Sequence, residues 1–327
     1  MAKVSVIMSA FNQEAYIRDA VKSILEQSFL DFELIVIDDG STDQTLKVLD
    51  EFSDKRLKIF ANEKNQGLIF SLNRGVKLSE GSKYIARMDS DDISRPDRFK
   101  KQVEFLDEFD EVGVLGTAMR YFGDLNTSRK YLENDVDIKS LFLFTNPISH
   151  PTVFFRSNLG DAINYDNAFP GYEDYALWIS LINKTKFHNL PEELLLYRRH
   201  NSNVTNSKDI MKEDEIYKRL LVKYANEMSF SFTKDELDVF STISSKTRFS
   251  LNVYNSVSAF TLFESTFISK LPDVLKNNKY FRNALTTRIL LYFIGTKKYP
   301  QALRHTLRNA FNLMDLYDVY KLNKSPV

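Results

Sequence analysis

Residues 32–49 read FELIVIDDGSTDQTLKVL, an apolar run followed by a polar turn and a helix-like segment. The run FELIVI (32–37) is rich in β-branched residues and almost continuously apolar, which is typical of a strand buried on both faces of a parallel sheet. The turn DDGS (38–41) follows at once, and STDQ (41–44) resembles a capping box before a helix over 43–53. This stretch predicts one strand–turn–helix unit of an α/β fold.

The same pattern recurs on both sides of this unit. Strands are predicted at 3–8 (KVSVIM), 57–62 (LKIFAN) and 82–88 (SKYIARM), with helices at 14–27 and 67–79. This alternation predicts an open, mostly parallel, Rossmann-like sheet with helices on both faces. Ligands bind outside the carboxyl ends of such strands. We therefore expect the polar stretches SAFN (9–12), DDGS (38–41) and DSDD (89–92) to converge on one cleft.

Beyond residue 110 the pattern is more mixed. A second capping box, SRPD (94–97), is predicted before the next helix, FKKQVEFLDEF. The later elements are strands at 112–123, 151–157 and 193–200 and a helix at 173–184. The polar connector NSNVTNSKD (201–209) then leads into a mainly helical region. We predict a catalytic domain at 1–205, with halves 1–110 and 111–205, and a helical C-terminal region at 206–327.

Composition limits the classes of protein that this chain can belong to. The 327 residues include no cysteine, which excludes disulfides, thiolate metal sites and a thiol nucleophile. The N-terminal apolar run is too short for a signal peptide, and no segment reaches the ~20 apolar residues that span a bilayer. From these features we expect a cytoplasmic protein.

Charge is unevenly distributed along the chain. Residues 241–327 carry a net charge of +9 and the first 240 a net charge of −9. The basic and aromatic C-terminal part has two open interpretations: a helical subdomain packed on the catalytic domain, or a peripheral contact with the anionic inner face of the cell membrane. Its basic residues are spread through apolar periodicity without a recognition motif, so a nucleic-acid partner is not expected.

Asp89, Asp91 and Asp92 form an acidic cluster at the end of a predicted buried strand. A solvated loop that caps a helix would explain them, and Asp92 in particular is expected to shape the turn into a helix capped by Ser94. Alternatively, carboxylate oxygens at a sheet edge suit Mg²⁺ or Mn²⁺, which bind through one or two carboxylates together with substrate phosphates. A divalent cation would also relieve the repulsion between the aspartates.

Together these motifs resemble the family 2 glycosyltransferases, which have the nucleotide-sugar-binding GT-A fold. The resemblance covers roughly residues 3–200 and depends on the order and spacing of several short motifs. They are VSVIMSAFN, IDDGSTD, KNQG (64–67), ARMDSDDISRPDR, SHPTVFFR (149–156), GYEDYALW (171–178) and YRRH (197–200).

The resemblance implies a role for individual residues. Phe11 would pack beside the base and Asp39 would read it. In the DxD motif Asp91 would ligate the metal, with Asp89 near the ribose or a metal-bound water. The nucleotide-binding set implied in this way is Ser9, Phe11, Asn12, Glu14, Asp39, Asn65, Gly67, Arg87 and Asp89.

The resemblance also implies catalytic and acceptor residues. Asp174 matches the catalytic base and Glu173 would orient the acceptor or support Asp174, although a Glu-Asp pair that opens a helix is also explained by the helix dipole. His200 would approach the metal or the diphosphate. His150 is either a satisfied structural residue or a contact to the acceptor or diphosphate. Trp178 either packs in the core or forms a floor for the acceptor sugar.

The implied activity is inverting transfer of a hexose or N-acetylhexosamine from a nucleotide sugar, most simply a UDP-sugar, with Mn²⁺ or Mg²⁺ as cofactor. The acceptor would be a saccharide hydroxyl, such as a lipid-linked intermediate of a bacterial surface polysaccharide. Ser9-Ala10-Phe11 replaces the family's common Pro-Thr-Tyr and lacks its hydroxyls on the second and third residues. The Gln-x-x-Arg-Trp signature of processive synthases is absent, which favours the addition of one sugar per encounter.

Two other classes of protein are alternatives. A sugar-1-phosphate nucleotidyltransferase has a similar sheet but should carry a glycine-rich loop after the first strand, where this chain has SAFNQEAY. A non-catalytic nucleotide-sugar-binding protein would keep its function after loss of Asp174. The presence of every expected carboxylate argues against that class.

Overall fold

The computed structural model of the chain describes residues 2–200, 210–244 and 266–295. The chain divides into two compact units. The first comprises Met1–Asp135 and Ile148–Asn203, and the second comprises Val136–Pro147 and Val204–Val327. The second unit thus includes a short segment, Val136–Pro147, that our sequence-based domain prediction left within the first.

A nine-stranded sheet forms the centre of the first unit. Its strands are β1 (Val4–Ala10), β2 (Phe32–Asp38), β3 (Leu57–Ala61), β4 (Tyr84–Asp89), β5 (Ile93–Ser94), β6 (Val112–Gly123), β7 (Ser128–Arg129), β8 (Phe154–Arg156) and β9 (Lys186–Arg199). Their order is β3-β2-β1-β4-β8-β6-β9-β5, with β7 beside β6. The run β3-β2-β1-β4 is parallel, and so is the long pair β6–β9. The predicted α/β class with a mostly parallel sheet is confirmed.

Helices follow the strands in the first unit and make up most of the described part of the second. They are α1 (Ile17–Leu25), α2 (Thr45–Leu49), α3 (Leu68–Leu78), α4 (Arg98–Glu108), α5 (Asp135–Leu141), α6 (Glu173–Leu181), α7 (Ile210–Glu227), α8 (Lys234–Ser244), α9 (Asp273–Lys276) and α10 (Lys279–Gly295). Among these described helices, none combines the length and apolar character needed to cross a bilayer.

The core of the first unit lies between the parallel strands and their helices. Apolar residues of β1, β2 and β4 such as Val6, Val36 and Met88 are fully buried and belong to one cluster. Ile17 and Phe99, on α1 and α4, belong to the same cluster. The almost continuous apolar runs in the sequence therefore reflect strands that are covered on both faces.

Several local predictions were wrong. The strand predicted at 151–157 begins instead as a 3-10 helix at His150–Thr152, because Pro151 has no N–H to donate to a ladder, and only Phe154–Arg156 is extended. The strand predicted at 193–200 is present, but it is the end of the longer β9. Ser94 lies in β5 and does not cap α4, which begins at Arg98 without a side-chain cap.

The helix cap predicted at 41–44 is also different in detail. Helix α2 begins only at Thr45, whose backbone N–H donates to Asp43 Oδ1 at 2.9 Å. Ser41 instead accepts a hydrogen bond from the backbone N–H of Asn12. The polar turn after β2 therefore joins two loops.

Gly40 is a position where the turn after β2 requires glycine. Its φ is +72°, and a Cβ there would lie 2.6 Å from the carbonyl carbon of Lys64. We expect Gly40→Ala to lower the free energy of unfolding by about 2 kcal/mol or more, because left-handed backbone strain adds to a clash with rigid backbone. Urea denaturation would measure it. Gly171→Ala is the matched control, since Gly171 has φ +75° and nothing within 4 Å of the added Cβ; equal losses in the two variants would contradict the role of the contact.

Asp107, on α4, fastens the amino-terminal ends of β1 and β4. Lys3 and Lys83 each place Nζ 2.7 Å from a carboxylate oxygen of Asp107, and the Tyr84 hydroxyl donates to it at 2.7 Å. Burial acts to raise the pKa of Asp107, but these donors hold it well below its usual range. Because the folded-state pKa is depressed, the stabilisation is present above the unfolded value near ~3.9 and is lost as the pH falls through the folded pKa.

The prediction concerns Asp107→Asn and its dependence on pH. We expect a loss of about 1 kcal/mol in the free energy of unfolding near neutral pH, a modest figure because the carboxylate is partly exposed and screened. The difference in the free energy of unfolding between wild type and variant should become smaller when denaturation is repeated at about pH 3, because the Asp107 carboxylate of the unfolded chain is largely protonated there. A difference of the same size at both pH values would rule out the ion pairs as its source.

Candidate active site

The ends of β1, β2 and β4 lie side by side. Ser9 pairs in register with Ile37 on one side and with Asp89 on the other, and Ala10 pairs with Asp38. All three strands are parallel, so the loops that follow them leave the sheet at the same edge. The three polar stretches therefore begin at one edge of the sheet, as predicted.

The loops after β1 and β2 are held together by reciprocal hydrogen bonds. Asn12 has a positive φ of 51°, and its side-chain oxygen accepts from the backbone N–H of Thr42 at 2.9 Å. Glu14 accepts from the backbone N–H of Gln44 at 2.8 Å. The structure thus gives Asn12 and Glu14 a role in joining the loops. A direct nucleotide contact by either residue stays a prediction.

Asp39 is buried beneath the loop at 62–67. Its carboxylate accepts hydrogen bonds from the Asn62 side chain at 2.6 Å and from the backbone N–H groups of Gln66 and Gly67 at 3.0 and 2.8 Å. Asp39 therefore fixes the loop that contains Asn65 and Gly67. Phe11, by contrast, is 42% exposed and offers a free aromatic face at the same sheet edge.

The acidic turn after β4 concentrates three carboxylates. One ligand atom from each of Asp89, Asp91 and Asp92 lies within 4.8 Å of the others. Asp91 Oδ2 is 3.0 Å from Nε2 of His200, the residue that directly follows β9. Arg87 is buried in β4 and forms an ion pair with Asp89. The sequence-predicted residues Arg87, Asp89, Asp91 and His200 are thus brought together.

The sequence predicted that Asp92 shapes the turn into a helix capped by Ser94, but the contacts of Asp92 in the structure are different. It is 1% exposed, and its Oδ1 accepts the backbone N–H of Arg198 at 2.9 Å, which links the turn to β9. Among the described residues its Oδ2 has no hydrogen-bond partner. Asp92 therefore belongs to the acidic cluster itself.

Burial and mutual repulsion raise the pKa of two of these acids. Burial raises the pKa of Asp91, and the charge of Asp89 raises it further, although His200 opposes the shift. Burial also raises the pKa of Asp92 well above its usual value, with Asp89 and Asp91 adding to the effect. A hard divalent cation would relieve both the repulsion and the unpaired oxygen, because carboxylate oxygens are the ligands that suit Mn²⁺ or Mg²⁺.

A second acidic pair opens helix α6. Glu173 is mostly buried, and burial raises its pKa, while the charge of Arg87 lowers it and that of Asp89 raises it. Asp174 follows in the same first turn and is half-buried. Burial raises the pKa of Tyr165, the charge of Arg87 opposes this shift, and the charges of Asp174 and Asp89 add to it. The charge of Asp174 on α6 and the charge of Asp89 in the acidic turn therefore both reach Tyr165.

His150 and Trp178 are core residues in the structure. His150 Nε2 lies 2.8 Å from the Tyr165 hydroxyl, and burial together with Arg87 lowers the pKa of His150 well below its usual value. Trp178 is 0% exposed and packs against Phe155 and His150. The acceptor-floor role considered for Trp178 is therefore wrong, because its ring has no accessible face. The bond to Tyr165 agrees with the structural interpretation of His150, and a contact with the acceptor or diphosphate stays a prediction.

With this geometry in view, the comparison with known proteins is decisive for the family. The sequence profile of glycosyl transferase family 2 matches residues 5–172. The chain belongs to glycosyltransferase family 2. An uncharacterised glycosyltransferase of Haemophilus influenzae is 32% identical over 98% of this chain and 95% of its own length.

Two further similarities support the family and the fold. The O-antigen biosynthesis glycosyltransferase WbnJ of Escherichia coli is 35% identical over 62% of this chain and 82% of its own length. The crystal structure of S. aureus TarS 1–349 in complex with UDP-GlcNAc matches with a TM-score of 0.62 at 20% identity, over 94% of this chain and 92% of that chain. At that identity the likeness shows the fold alone, and it agrees with the GT-A architecture expected from the sequence.

Some contacts of this family 2 site were not predicted. Tyr16 stacks on His200, with ring centroids 4.7 Å apart, and no feature of the sequence indicated that contact. Arg198 forms an ion pair with Asp19 at 3.3 Å. Tyr165, the partner of His150, lies in an irregular segment where the sequence carries no period to place it.

Proposed function

We propose that this family 2 glycosyltransferase transfers a hexose or N-acetylhexosamine from a UDP-sugar to a saccharide hydroxyl, with inversion and with the help of a divalent cation. The observation that carries the proposal is the acidic turn at the end of β4, where the ligand atoms of Asp89, Asp91 and Asp92 lie within 4.8 Å of one another at the edge of a nucleotide-binding type of sheet. The family supplies the reaction class, and the site supplies the residues.

Asp91 and His200 are the residues proposed to hold the cation, with Asp89 beside them. Asp91 Oδ2 and His200 Nε2 already face each other at 3.0 Å. When bound, Mn²⁺ or Mg²⁺ supplies Lewis-acid stabilisation of the leaving diphosphate. Arg87, which is buried against Asp89, has two guanidinium nitrogens without a hydrogen-bond partner among the described residues. We assign these donors to the nucleotide sugar, because a buried N–H group without a partner is costly.

Phe11 and Asp39 are proposed to receive the nucleoside. Phe11 offers an exposed ring against which a base can stack, and Ser9 lies beside it at the end of β1. Asp39 orders the 62–67 loop, so it supports Asn65 and Gly67 in any contact with the nucleotide. UDP is the first nucleotide to test, since TarS, which shares the fold, holds UDP-GlcNAc.

Asp174 is proposed as the general base that takes the proton from the attacking acceptor hydroxyl. It lies in the first turn of α6, where the helix dipole favours an ionised carboxylate. Attack from the face opposite the leaving group then inverts the anomeric carbon in one displacement, and no protein nucleophile is needed. Glu173, mostly buried beside it, is assigned to orienting the acceptor or supporting Asp174.

The acceptor is proposed to be a saccharide, free or linked to a lipid. The relative WbnJ acts in O-antigen biosynthesis, which favours a surface-polysaccharide intermediate. Peripheral attachment to the inner membrane face through the basic C-terminal region is part of the same proposal. Much of that region, including residues 245–265 and 296–327, lies outside the described residues.

A donor panel tests the proposed function. The full chain is incubated with Mn²⁺ and each of several UDP- and GDP-sugars, and release of the nucleoside diphosphate is followed without an acceptor. We expect slow hydrolysis of at least one UDP-hexose or UDP-N-acetylhexosamine. Absence of both binding and hydrolysis with every UDP-sugar would contradict the donor assignment, and activity with GDP-sugars alone would correct it.

A further inference from the structure

Arg198, near the end of β9, makes two hydrogen bonds to the acidic turn. Its backbone N–H donates to Asp92 Oδ1 at 2.9 Å, and its Nε–H donates to the backbone carbonyl of Asp91 at 2.9 Å. Both bonds connect residues 106 and 107 positions apart in the chain. Arg198 therefore fixes the backbone from which Asp91 projects and one carboxylate oxygen of Asp92.

The guanidinium group of Arg198 also lies among aromatic rings. Its central carbon is 4.6 Å from the ring centroid of Phe122 and 4.9 Å from that of Tyr16. Asp19, on α1, completes its surroundings as an ion-pair partner at 3.3 Å. Aromatic faces attract guanidinium, and its planar shape allows it to stack while it donates in its own plane.

Tyr16 extends this arrangement to His200. The two rings are stacked with an interplanar angle of 28°, and His200 Nε2 lies 3.0 Å from Asp91 Oδ2. Arg198 thus reaches Asp91 through the hydrogen bond from its Nε–H to the Asp91 backbone carbonyl, and it reaches His200 through the ring of Tyr16. Both proposed cation ligands, Asp91 and His200, are therefore connected to Arg198: Asp91 by a direct hydrogen bond and His200 through Tyr16.

We propose that Arg198 is a positioning residue for the divalent-cation site, acting on Asp91 directly and on His200 through the ring of Tyr16. This inference rests on the proposed function, because it assumes that Asp91 and His200 bind the cation. Arg198 itself makes no contact with the metal in this account. Its role is to keep two ligands from distant parts of the chain at a fixed separation before the cation arrives.

The proposal depends on the shape of arginine and not only on its charge. Lysine could keep an ion pair with Asp19, but its ammonium group cannot stack as a plane between Tyr16 and Phe122 while an Nε–H donates to Asp91. Partners that orient metal ligands are generally worth about 10–100-fold in metal affinity. We expect that loss for both Arg198→Met and Arg198→Lys.

The test compares Mn²⁺ affinity of full-length variants, with and without UDP, by electron paramagnetic resonance. The matched control is Arg120→Met, since Arg120 lies on β6 and, within the described part of the chain, bonds to Glu193 on β9 at 3.5 Å and to Asn126 at 3.1 Å and not to the acidic turn. The expected result is weaker Mn²⁺ binding by about 10–100-fold and an altered spectrum of bound Mn²⁺ in both Arg198 variants, with the control unchanged. Thermal midpoints check that each variant is folded.

The possible results separate the role of Arg198 from the existence of the cation site. Mn²⁺ affinity within about threefold of wild type in Arg198→Met, or full recovery in Arg198→Lys, overturns the positioning role. If Arg198→Met does not fold, Tyr16→Leu and Tyr16→Phe replace it: the leucine variant should lose affinity and the phenylalanine variant should keep it, and equal affinities overturn the proposal. A wild-type protein that binds no Mn²⁺ overturns the proposed cation site itself, whereas intact variants beside a binding wild type overturn only the role of Arg198.

Discussion

Asp174→Asn is expected to lower kcat by roughly 10²–10⁴-fold while leaving donor affinity within a few fold of wild type. The amide keeps the shape of the side chain in the first turn of α6 but cannot accept a proton from the acceptor hydroxyl. Because Asp174 is proposed to act on the acceptor, nucleotide binding should not depend on it. Steady-state transfer kinetics with the donor found in the panel, together with calorimetry of UDP binding, would measure both quantities.

The control for this variant is another carboxylate in the same half of the catalytic unit. Asp161→Asn changes an exposed acid within the 3-10 helix Ser157–Ala162, and we expect the kcat of this variant to equal that of wild type. Full transfer activity in Asp174→Asn would contradict the base assignment. It would also favour the alternative of a nucleotide-sugar-binding protein whose function does not need this residue.

Asp91→Asn is expected to abolish metal-dependent nucleotide binding. Loss of a direct ligand should reduce Mn²⁺ affinity by more than the ~100-fold upper range seen for residues that only orient ligands. The variant also removes one charge from the repulsive cluster, so the protein should remain folded and its metal-free form should be no less stable. Calorimetric titration of UDP with and without Mn²⁺ would measure the effect.

Asp97→Asn is the matched control for the acidic turn. Asp97 directly precedes α4 and forms an ion pair with Lys101 at 3.2 Å. Its metal-dependent UDP binding should equal that of wild type. Retention of metal-dependent binding in Asp91→Asn would refute the ligand role of Asp91 and would transfer attention to Asp89 and Asp92.

The sequence predicted well those structural features that depend on local, periodic patterns of apolar and polar residues. Buried parallel strands give almost continuous apolar runs, so β1, β2 and β4 could be placed and the polar residues at their ends could be assigned to one edge. From that placement Asp89, Asp91 and Asp92 were expected to form a cluster, and the structure brings their ligand atoms together. The family resemblance added His200, which lies beside Asp91.

The parts that were missed depend on contacts between distant segments. Ser94 looked like a helix cap because of its neighbours, but pairing with β9 places it in a strand. The only tryptophan was a candidate for the acceptor surface, yet packing against Phe155 buries it fully. Tyr16 and Arg198 are far apart in the sequence but in contact in the structure, so no local sequence pattern could indicate that both contact the proposed ligands of one site.

The most direct test of the central claim is a ¹H NMR time course of donor hydrolysis by the wild-type chain, with Mn²⁺ and the α-linked UDP-sugar selected by the donor panel. We predict that the sugar is released first as the β anomer, that release stops when EDTA removes the cation, and that Asp91→Asn releases none. Release of the α anomer first, or hydrolysis that continues unchanged in EDTA, would contradict an inverting transfer supported by a cation at the acidic turn.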